Sequence, residues 1–133
     1  MEGGGAMGVE SGSRVLVIED ETRVARFLTG TLDDEGCSVL IAEDGDVGLF
    51  LATSEPFDFV VLDTMVPGLS ALGVLRAVRA ARPELPVIVL TPDGDPQLCR
   101  QLTEAGASRL LPRPLVLADF RSAVREQLDG NRS

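Results

Sequence analysis

The feature that most constrains this chain is a regular alternation of short apolar runs with longer segments of helical periodicity. The apolar runs are Arg14–Ile18, Ser38–Ala42, Phe57–Leu62, Pro86–Leu90 and Ser108–Leu111. The helical segments are Glu21–Glu35, Asp44–Ser54, Ser70–Ala81, Pro96–Ala105 and Val116–Leu128. In each helical segment apolar residues recur at steps of three and four, the spacing of an amphipathic helix. The alternation predicts a series of βα units in one sheet.

The order of these units predicts the architecture. Parallel neighbours need a crossover connection, which is usually a helix. The first, third and fourth runs are apolar throughout, as expected of strands covered on both faces, and the units are too few for an eight-stranded barrel. We therefore expect an α/β fold, a flavodoxin-like (βα)5 doubly wound three-layer sandwich with a parallel sheet of order 2-1-3-4-5. Pro112 fits an edge position for the last strand, because proline has no N–H for a ladder.

Length and composition predict the domain limits. At 133 residues the chain fits one domain. Residues 1–13 are rich in Gly and Ser and lack periodicity, so we expect a flexible leader, a folded domain over 14–129 and a short tail over 130–133. In the second helical segment we expect the apolar residues to face the core; these are Val47, Leu49, Phe50 and Leu51.

Charge and residue content exclude several functions. The net charge of −9 opposes binding to nucleic acid phosphates, so we expect no direct nucleic acid binding by this chain. No apolar stretch has the length of a membrane span, and no secretory signal pattern begins the chain, which predicts a cytoplasmic protein. Histidine is absent, and Cys37 and Cys99 lack metal-type spacing, so we expect free thiols.

Polar residues follow the apolar runs at the positions where ligands bind in open α/β sheets. Glu19 and Asp20 follow the first run, Asp63 the third, Thr91 the fourth, and Arg113 lies just beyond the fifth. In the proposed order these four strands are neighbours, so their ends lie along one edge. Each residue alone has a commoner explanation, such as a helix N-cap, a loop residue or a surface charge. Their joint occurrence favours one site.

Such a site has a definite chemistry. Clustered carboxylates repel one another unless a cation is present. With oxygen ligands only, a hard ion such as Mg²⁺ is preferred. The hydroxyl of Thr91 and the guanidinium of Arg113 can bind a phosphoryl group. A carboxylate nucleophile beside Mg²⁺ and these groups is suited to forming an aspartyl phosphate.

The motifs at these positions resemble a known family. RVLVIEDE, FDFVVLDTMVPGLSALGVL, PVIVLT and GASRLLPRPL resemble the first, third, fourth and fifth strand regions of the receiver domain of two-component response regulators. The resemblance runs from Arg14 to Leu128. It implies a phosphoacceptor switch that takes its phosphoryl group from a sensor histidine kinase or a phosphotransfer protein, and not an enzyme acting on a separate substrate.

The resemblance also implies residue roles. Asp63 is similar to the phosphoacceptor, Asp20 to a direct Mg²⁺ ligand, and Glu19 to an acid that binds the ion through water. The backbone carbonyl of Met65 is implied as a further ligand, and Thr91 resembles the switch hydroxyl. In the family, phosphorylation repacks the face formed by the fourth helix, fifth strand and fifth helix, which implies control of an effector or a homodimer through that face.

The chain departs from the family pattern at its readout positions. Arg113 replaces the usual Lys, Leu110 stands where an aromatic switch residue is usual, and Pro92 follows the switch Thr and lacks an N–H. Ser108 and Arg109 replace the acidic pair expected at the start of the fifth strand in receivers of winged-helix transcription factors. We therefore expect phosphorylation at Asp63 with altered switching.

Three alternatives stay open at this point. A degenerate receiver, acting as a phosphorylation-independent interaction module, is favoured by the altered readout positions. A small phosphatase of the haloacid dehalogenase type needs a second Asp where this chain has Met65. A flavodoxin-like FMN carrier needs a phosphate cradle rich in Gly or Ser/Thr after the first strand, where this chain is acidic.

Overall fold

The computed structural model describes residues 12–92 and 94–132, apart from the side chains of residues 131 and 132. Most of the expected leader therefore lies outside the described residues. The strands are β1 (Arg14–Ile18), β2 (Ser38–Ala42), β3 (Phe59–Asp63), β4 (Val87–Thr91) and β5 (Arg109–Pro112). The helices are α1 (Thr22–Asp34), α2 (Gly45–Ser54), α3 (Ala71–Ala81), α4 (Pro96–Glu104) and α5 (Leu117–Arg132). No helix in this part of the chain is long and apolar enough to cross a membrane.

The strands form one parallel sheet in the order β2-β1-β3-β4-β5. This confirms the predicted 2-1-3-4-5 order, in which the strand order reverses between β1 and β3. It also confirms the edge position of the strand that contains Pro112. In the register, Ile18 pairs with Leu62 and Asp63 pairs with Leu90, so the carboxyl ends of the central strands lie side by side.

Helices cover both faces of the sheet and give it two separate apolar cores. Leu16 and Ile18 of β1 point into a core closed by α2, α3 and α4. Val15 and Val17, which alternate with them, point into a second core closed by α1 and α5, where Phe120 is fully buried. Every residue of β3 and β4 is buried, as expected of strands covered on both faces. The three-layer sandwich is therefore confirmed.

Some element bounds differ from the sequence expectation in a way that affects the site. Asp63 and Thr91 were expected just after their strands, but each is the last residue of one. The cause is the parallel ladder, which continues through the Asp63–Leu90 and Thr91–Pro112 pairs. Asp63 and Thr91 therefore have the extended backbone conformation of a strand. The last helix also continues to Arg132, beyond the expected end at Leu128.

The expected apolar face of α2 is confirmed for Leu49 and Leu51, which pack partly buried against the core, and is wrong for Val47 and Phe50. Val47 is 45% exposed and Phe50 is 66% exposed. The buried residues of this helix are all small, and they are Gly45, Gly48 and Ala52. An added Cβ at Gly48 would lie 2.5 Å from the Cδ1 atom of Ile18, so α2 approaches the sheet too closely for larger residues. Apolar content alone did not distinguish the packed face from the exposed one.

The helix starts that flank the site are fixed by side-chain caps. The carboxylates of Asp44 and Asp95 accept hydrogen bonds from the third residues of α2 and α4. Ser70 Oγ accepts from the N–H of Gly73 at the start of α3. The N–H of Gly45 donates to the carbonyl of Pro67 at 2.9 Å, which ties α2 to the loop that follows Asp63. The loops of the site thus have defined conformations.

We predict opposite effects of a methyl group added at two helical glycines. At Gly45 the new Cβ would overlap the backbone carbonyl of Leu69, whereas at Gly30 in α1 it would have no neighbour within 4 Å. Gly45→Ala should lower the free energy of unfolding by about 1 to 3 kcal/mol, because backbone must move. Gly30→Ala should raise it by about 0.5 to 1 kcal/mol. Urea denaturation followed by circular dichroism measures both, and a neutral Gly45→Ala would contradict the close approach of α2.

Candidate functional site

Three carboxylates meet at the carboxyl ends of β1 and β3. Glu19 and Asp20 follow β1 directly, and Asp63 ends the neighbouring strand β3. One carboxylate oxygen from each of the three lies within 4.8 Å of the others. Glu19 and Asp63 are both 1% exposed, whereas Asp20 is exposed. The sheet order thus brings together acids that are far apart in sequence, as predicted.

Arg113 supplies the positive charge beside these acids. Its Nη2 atom lies 2.5 Å from Oδ2 of Asp63 and 3.3 Å from Oε1 of Glu19. The backbone N–H of Arg113 donates to the carbonyl of Thr91 at 2.9 Å, so the backbone pairing of β4 with β5 positions the side chain. The guanidinium therefore partly neutralises two buried carboxylates. Removing one partner from a buried ion pair typically costs about 3 to 5 kcal/mol, and less where a partner is partly exposed.

The hydrogen bonds of Asp63 and Glu19 show that neither is a helix cap. The N–H of Met65 donates to Oδ1 of Asp63 at 3.2 Å. The N–H of Glu21 donates to Oε2 of Glu19 at 3.1 Å. The helix after Asp63 is capped by Ser70, so the commoner explanation for an Asp at this position does not apply. Each acid is held by a local N–H with its other oxygen near the cation.

Burial and crowding change the protonation of Glu19. The pKa of its carboxyl is raised from 4.5 to about 7, first by burial and then by hydrogen bonding and charge repulsion from Asp63. The N–H of Glu21 and the charge of Arg113 act in the opposite direction, but they do not compensate. In the absence of another cation, the carboxyl of Glu19 is therefore partly protonated near neutral pH.

The remaining predicted residues lie around this cluster. Thr91 is 2% exposed at the end of β4, and Pro92 after it is half-buried. Leu110 packs, partly buried, against the core closed by α2, α3 and α4. The side chain of Met65 is 65% exposed, so only its backbone takes part in the contacts described above.

Two polar atoms at the site were not anticipated. Among the described residues, the hydroxyl of Thr64 and Nε of Arg113 are buried and have no hydrogen-bond partner. Thr64 directly follows Asp63, and this adjacency was the available signal in the sequence. Whether Nε of Arg113 has a hydrogen-bond partner depends on the rotamer of that side chain, which the sequence does not specify. Buried groups of this kind cost free energy until a partner reaches them.

Comparison with known proteins identifies the family. A family model described as the response regulator receiver domain matches residues 15–125. The chain belongs to this receiver family. Receiver domains of response regulators are parts of signalling switches, and the family match covers all the site residues and every residue of the sheet except Arg14.

Individual relatives agree with the family match. The uncharacterized transcriptional regulatory protein YkoG of Bacillus subtilis is 37% identical over 118 residues, which are 88% of this chain and 51% of YkoG. The chain thus spans about half the length of the curated relatives it matches. A receiver domain protein from Clostridium thermocellum is 28% identical, with a TM-score of 0.82 over 90% of this chain and 97% of its own.

A more distant receiver structure shows the same fold. The receiver domain of the sensor histidine kinase PA1611 from Pseudomonas aeruginosa PAO1 is 21% identical, with a TM-score of 0.80 over 90% of this chain and 99% of its own. That protein holds a magnesium ion coordinated in its active site cleft.

We predict that Glu19 gives the receiver a pH-dependent stability. Because its pKa is raised in the folded chain, its contribution is complete below the unfolded value of 4.5 and is lost as the pH rises through about 7. Without divalent cations, the free energy of unfolding should fall by on the order of 1 to 3 kcal/mol between about pH 5 and pH 8. Glu19→Gln should remove this fall, while the exposed-acid control Glu43→Gln should keep it. Urea titrations at each pH measure the free energy of unfolding. An equal fall with pH in wild type and Glu19→Gln would show that Glu19 is not the group responsible.

Proposed function

We propose that Asp63 accepts a phosphoryl group from the phosphohistidine of a sensor histidine kinase or a phosphotransfer protein. The observation that carries this proposal is the position of Asp63, a buried carboxylate between a guanidinium and two further acids. Its Oδ1 already accepts from the N–H of Met65, so the carboxylate is oriented before any partner binds. The degenerate-receiver alternative is not favoured, because the family match extends across an intact acidic cluster.

Mg²⁺ is the cofactor that this donor set fits. The oxygens of Glu19, Asp20 and Asp63 lie close enough to share one ion, and hard oxygen ligands suit Mg²⁺. The carbonyl of Met65 is the expected backbone ligand, and the related PA1611 receiver holds magnesium in its cleft. When bound, Mg²⁺ would neutralise the charge that builds up on the phosphoryl oxygens. The raised pKa of Glu19 is consistent with a site that lacks one positive charge.

The transfer itself uses the residues of this chain as follows. An oxygen of Asp63 attacks phosphorus, a P–O bond forms, and the P–N bond breaks with its electron pair left on the imidazole nitrogen of the donor. Arg113 moves its charge from the carboxylate to the phosphoryl oxygens, where Nε can also find an acceptor. The N–H of Met65 and the hydroxyl of Thr91 are the further donors we assign to the phosphoryl group.

The output is proposed to pass through the face formed by α4, β5 and α5, to an effector or a homodimer. On that face Arg109 of β5 pairs with Glu126 of α5 at 2.7 Å within the same chain. With Leu110 and Pro92 at the readout positions, we expect weaker switching than an aromatic residue would give. A nucleic-acid-binding effector would belong to a longer protein, and the cytoplasmic location stays a prediction.

We predict a Mg²⁺-dependent adduct on Asp63. Incubation with phosphoramidate or acetyl phosphate and Mg²⁺ should add the mass of one phosphoryl group to the intact protein. Asp63→Ala and omission of Mg²⁺ should each abolish the adduct, because the first removes the nucleophile and the second removes the charge compensation. Asp33→Asn, a change in an exposed acid at the end of α1, is the matched control and should leave the yield unchanged.

Two results of the same assay would contradict the proposal. A folded wild-type chain that takes no phosphoryl group from any small donor or histidine kinase would restore the interaction-module alternative. An adduct of equal yield in Asp63→Ala would place the acceptor elsewhere.

We predict that a positive charge at position 113 is needed for rapid phosphorylation. A hydrogen bond to a charged group contributes about 1.5 to 3 kcal/mol, which corresponds to roughly ten- to a hundredfold in rate. Arg113→Ala should slow adduct formation by about that factor, whereas Arg113→Lys should stay within about fivefold of wild type because it keeps the charge. The initial rate of adduct formation by intact mass measures both variants. Equal rates for wild type and Arg113→Ala would show that Arg113 only stabilises the unphosphorylated acids.

A further inference from the structure

The edge strand β2 has none of the features that usually keep sheet edges from pairing. Its sequence, SVLIA, contains no charged residue and no proline, whereas the opposite edge strand β5 contains Pro112. Leu40 is 38% exposed and Ile41 is 40% exposed. Natural edge strands are commonly protected by lysine, proline or bulges, and an unprotected apolar edge is a template for another strand.

The backbone of β2 shows which groups face the free edge. The N–H of Ser38 donates to the carbonyl of Ser13, and the carbonyl of Ala42 accepts from the N–H of Glu19. Even-numbered residues of β2 therefore direct their backbone groups toward β1. In a strand the direction alternates, so Val39 and Ile41 direct their N–H and C=O groups outward. In the described part of the chain no strand lies beyond β2.

We infer that β2 is a self-association edge, at which a second copy of this chain pairs its own β2 in antiparallel orientation. In the register centred on Leu40, Val39 of one copy exchanges both of its hydrogen bonds with Ile41 of the other. Leu40 then lies opposite Leu40 of the second copy in a non-hydrogen-bonded pair, where side chains come closest. Strand addition of this kind draws its affinity from main-chain hydrogen bonds.

An exposed apolar side chain on α2 extends this edge. Leu40 pairs in register with Leu16, so its side chain is on the α2 face of the sheet. On α2, Asp46 accepts from the N–H of Leu69, which places that flank of the helix toward the loop after β3. Val47, the next residue, turns away from that loop toward the β2 side. Val47 therefore adds apolar surface on the Leu40 side of the helix, and a second copy would cover it.

One pair of charges beside β2 is complementary under the same two-fold symmetry. Arg26 and Asp33 of α1 line the groove next to Ile41. Three further acids line the same groove, and they are Glu19, Asp20 and Glu43. Neither Arg26 nor Asp33 has an ion-pair partner among the described residues. Because α1 runs from the end of β1 back to the start of β2, Arg26 lies toward the carboxyl end of β2 and Asp33 toward its amino end. Antiparallel pairing thus brings Arg26 of one copy toward Asp33 of the other, which offsets part of the repulsion between chains of net charge −9.

Disulfide trapping tests the register directly. Cα atoms of a non-hydrogen-bonded antiparallel pair are about 4.5 Å apart, within the range that a disulfide spans. Leu40→Cys, incubated in air without phosphodonor, should form a covalent dimer at least about tenfold faster than the matched control Leu117→Cys. Leu117 has similar exposure, 40% against 38%, and lies at the start of α5. The native Cys37 and Cys99 are present in both proteins, and the unmodified chain measures their contribution.

Light scattering tests the reversible association. At hundreds of micromolar, the wild-type chain should approach twice its mass of 14.1 kDa. Ile41→Pro removes an outward N–H but leaves the ladder with β1, and Leu40→Lys puts like charges opposite each other. Each variant should raise the dimer dissociation constant by about tenfold or more. If Ile41→Pro fails to fold by circular dichroism, Leu40→Lys alone decides the question.

Three results would overturn the inference. The first is a wild-type chain that stays monomeric at hundreds of micromolar, with no faster cross-linking of Leu40→Cys. The second is a dimer that persists unchanged in the folded β2 variants. The third is a dimer that is lost only in Arg109→Glu, which would assign the interface to the α4, β5 and α5 face.

Discussion

The structure depends on placing buried carboxylates from two neighbouring strands beside a single cation. Carboxylates this close repel one another in a low-dielectric interior, so the fold must compensate their charge. Arg113 does so through one nitrogen that contacts both Asp63 and Glu19. The raised pKa of Glu19 shows that this compensation is incomplete. Unbalanced charge of this kind is expected at a functional site, and we propose that a metal ion and a phosphoryl group complete this one.

The architecture makes this arrangement possible at fixed positions. The strand order reverses between β1 and β3, which opens a crevice at their carboxyl ends, and the ladder extends through Asp63 and Thr91. The acids are therefore held by strand backbone and local N–H groups. On the opposite side of β1, the sheet ends in β2, an edge without charge or proline. The two features adjoin, because the groove beside Ile41 is also lined by Glu19 and Asp20 of the crevice.

The sequence predicted most of the fold because its signals are local and repeated. Apolar runs and helical periodicity determined the element order, and the polar residues after each run determined the site. The end of β3 at Asp63 was not predicted, because it depends on the pairing of Asp63 with Leu90 of β4. The outward position of Phe50 was missed because helix packing on Gly48, a long-range property, decides which face of α2 is buried. The contact of Arg113 with both Asp63 and Glu19 depends on the rotamer of Arg113, which is determined only in the folded site.

The most direct measurement is the location of the phosphoryl group on the protein. Borohydride reduces an aspartyl phosphate to a primary alcohol, so a phosphorylated and reduced chain carries homoserine in place of the acceptor. Peptide sequencing by tandem mass spectrometry should find that change at Asp63 alone, in a Mg²⁺-dependent yield. Homoserine at another acid such as Asp20, or a phosphoryl group retained on a hydroxyl such as that of Thr91, would contradict the account of the site.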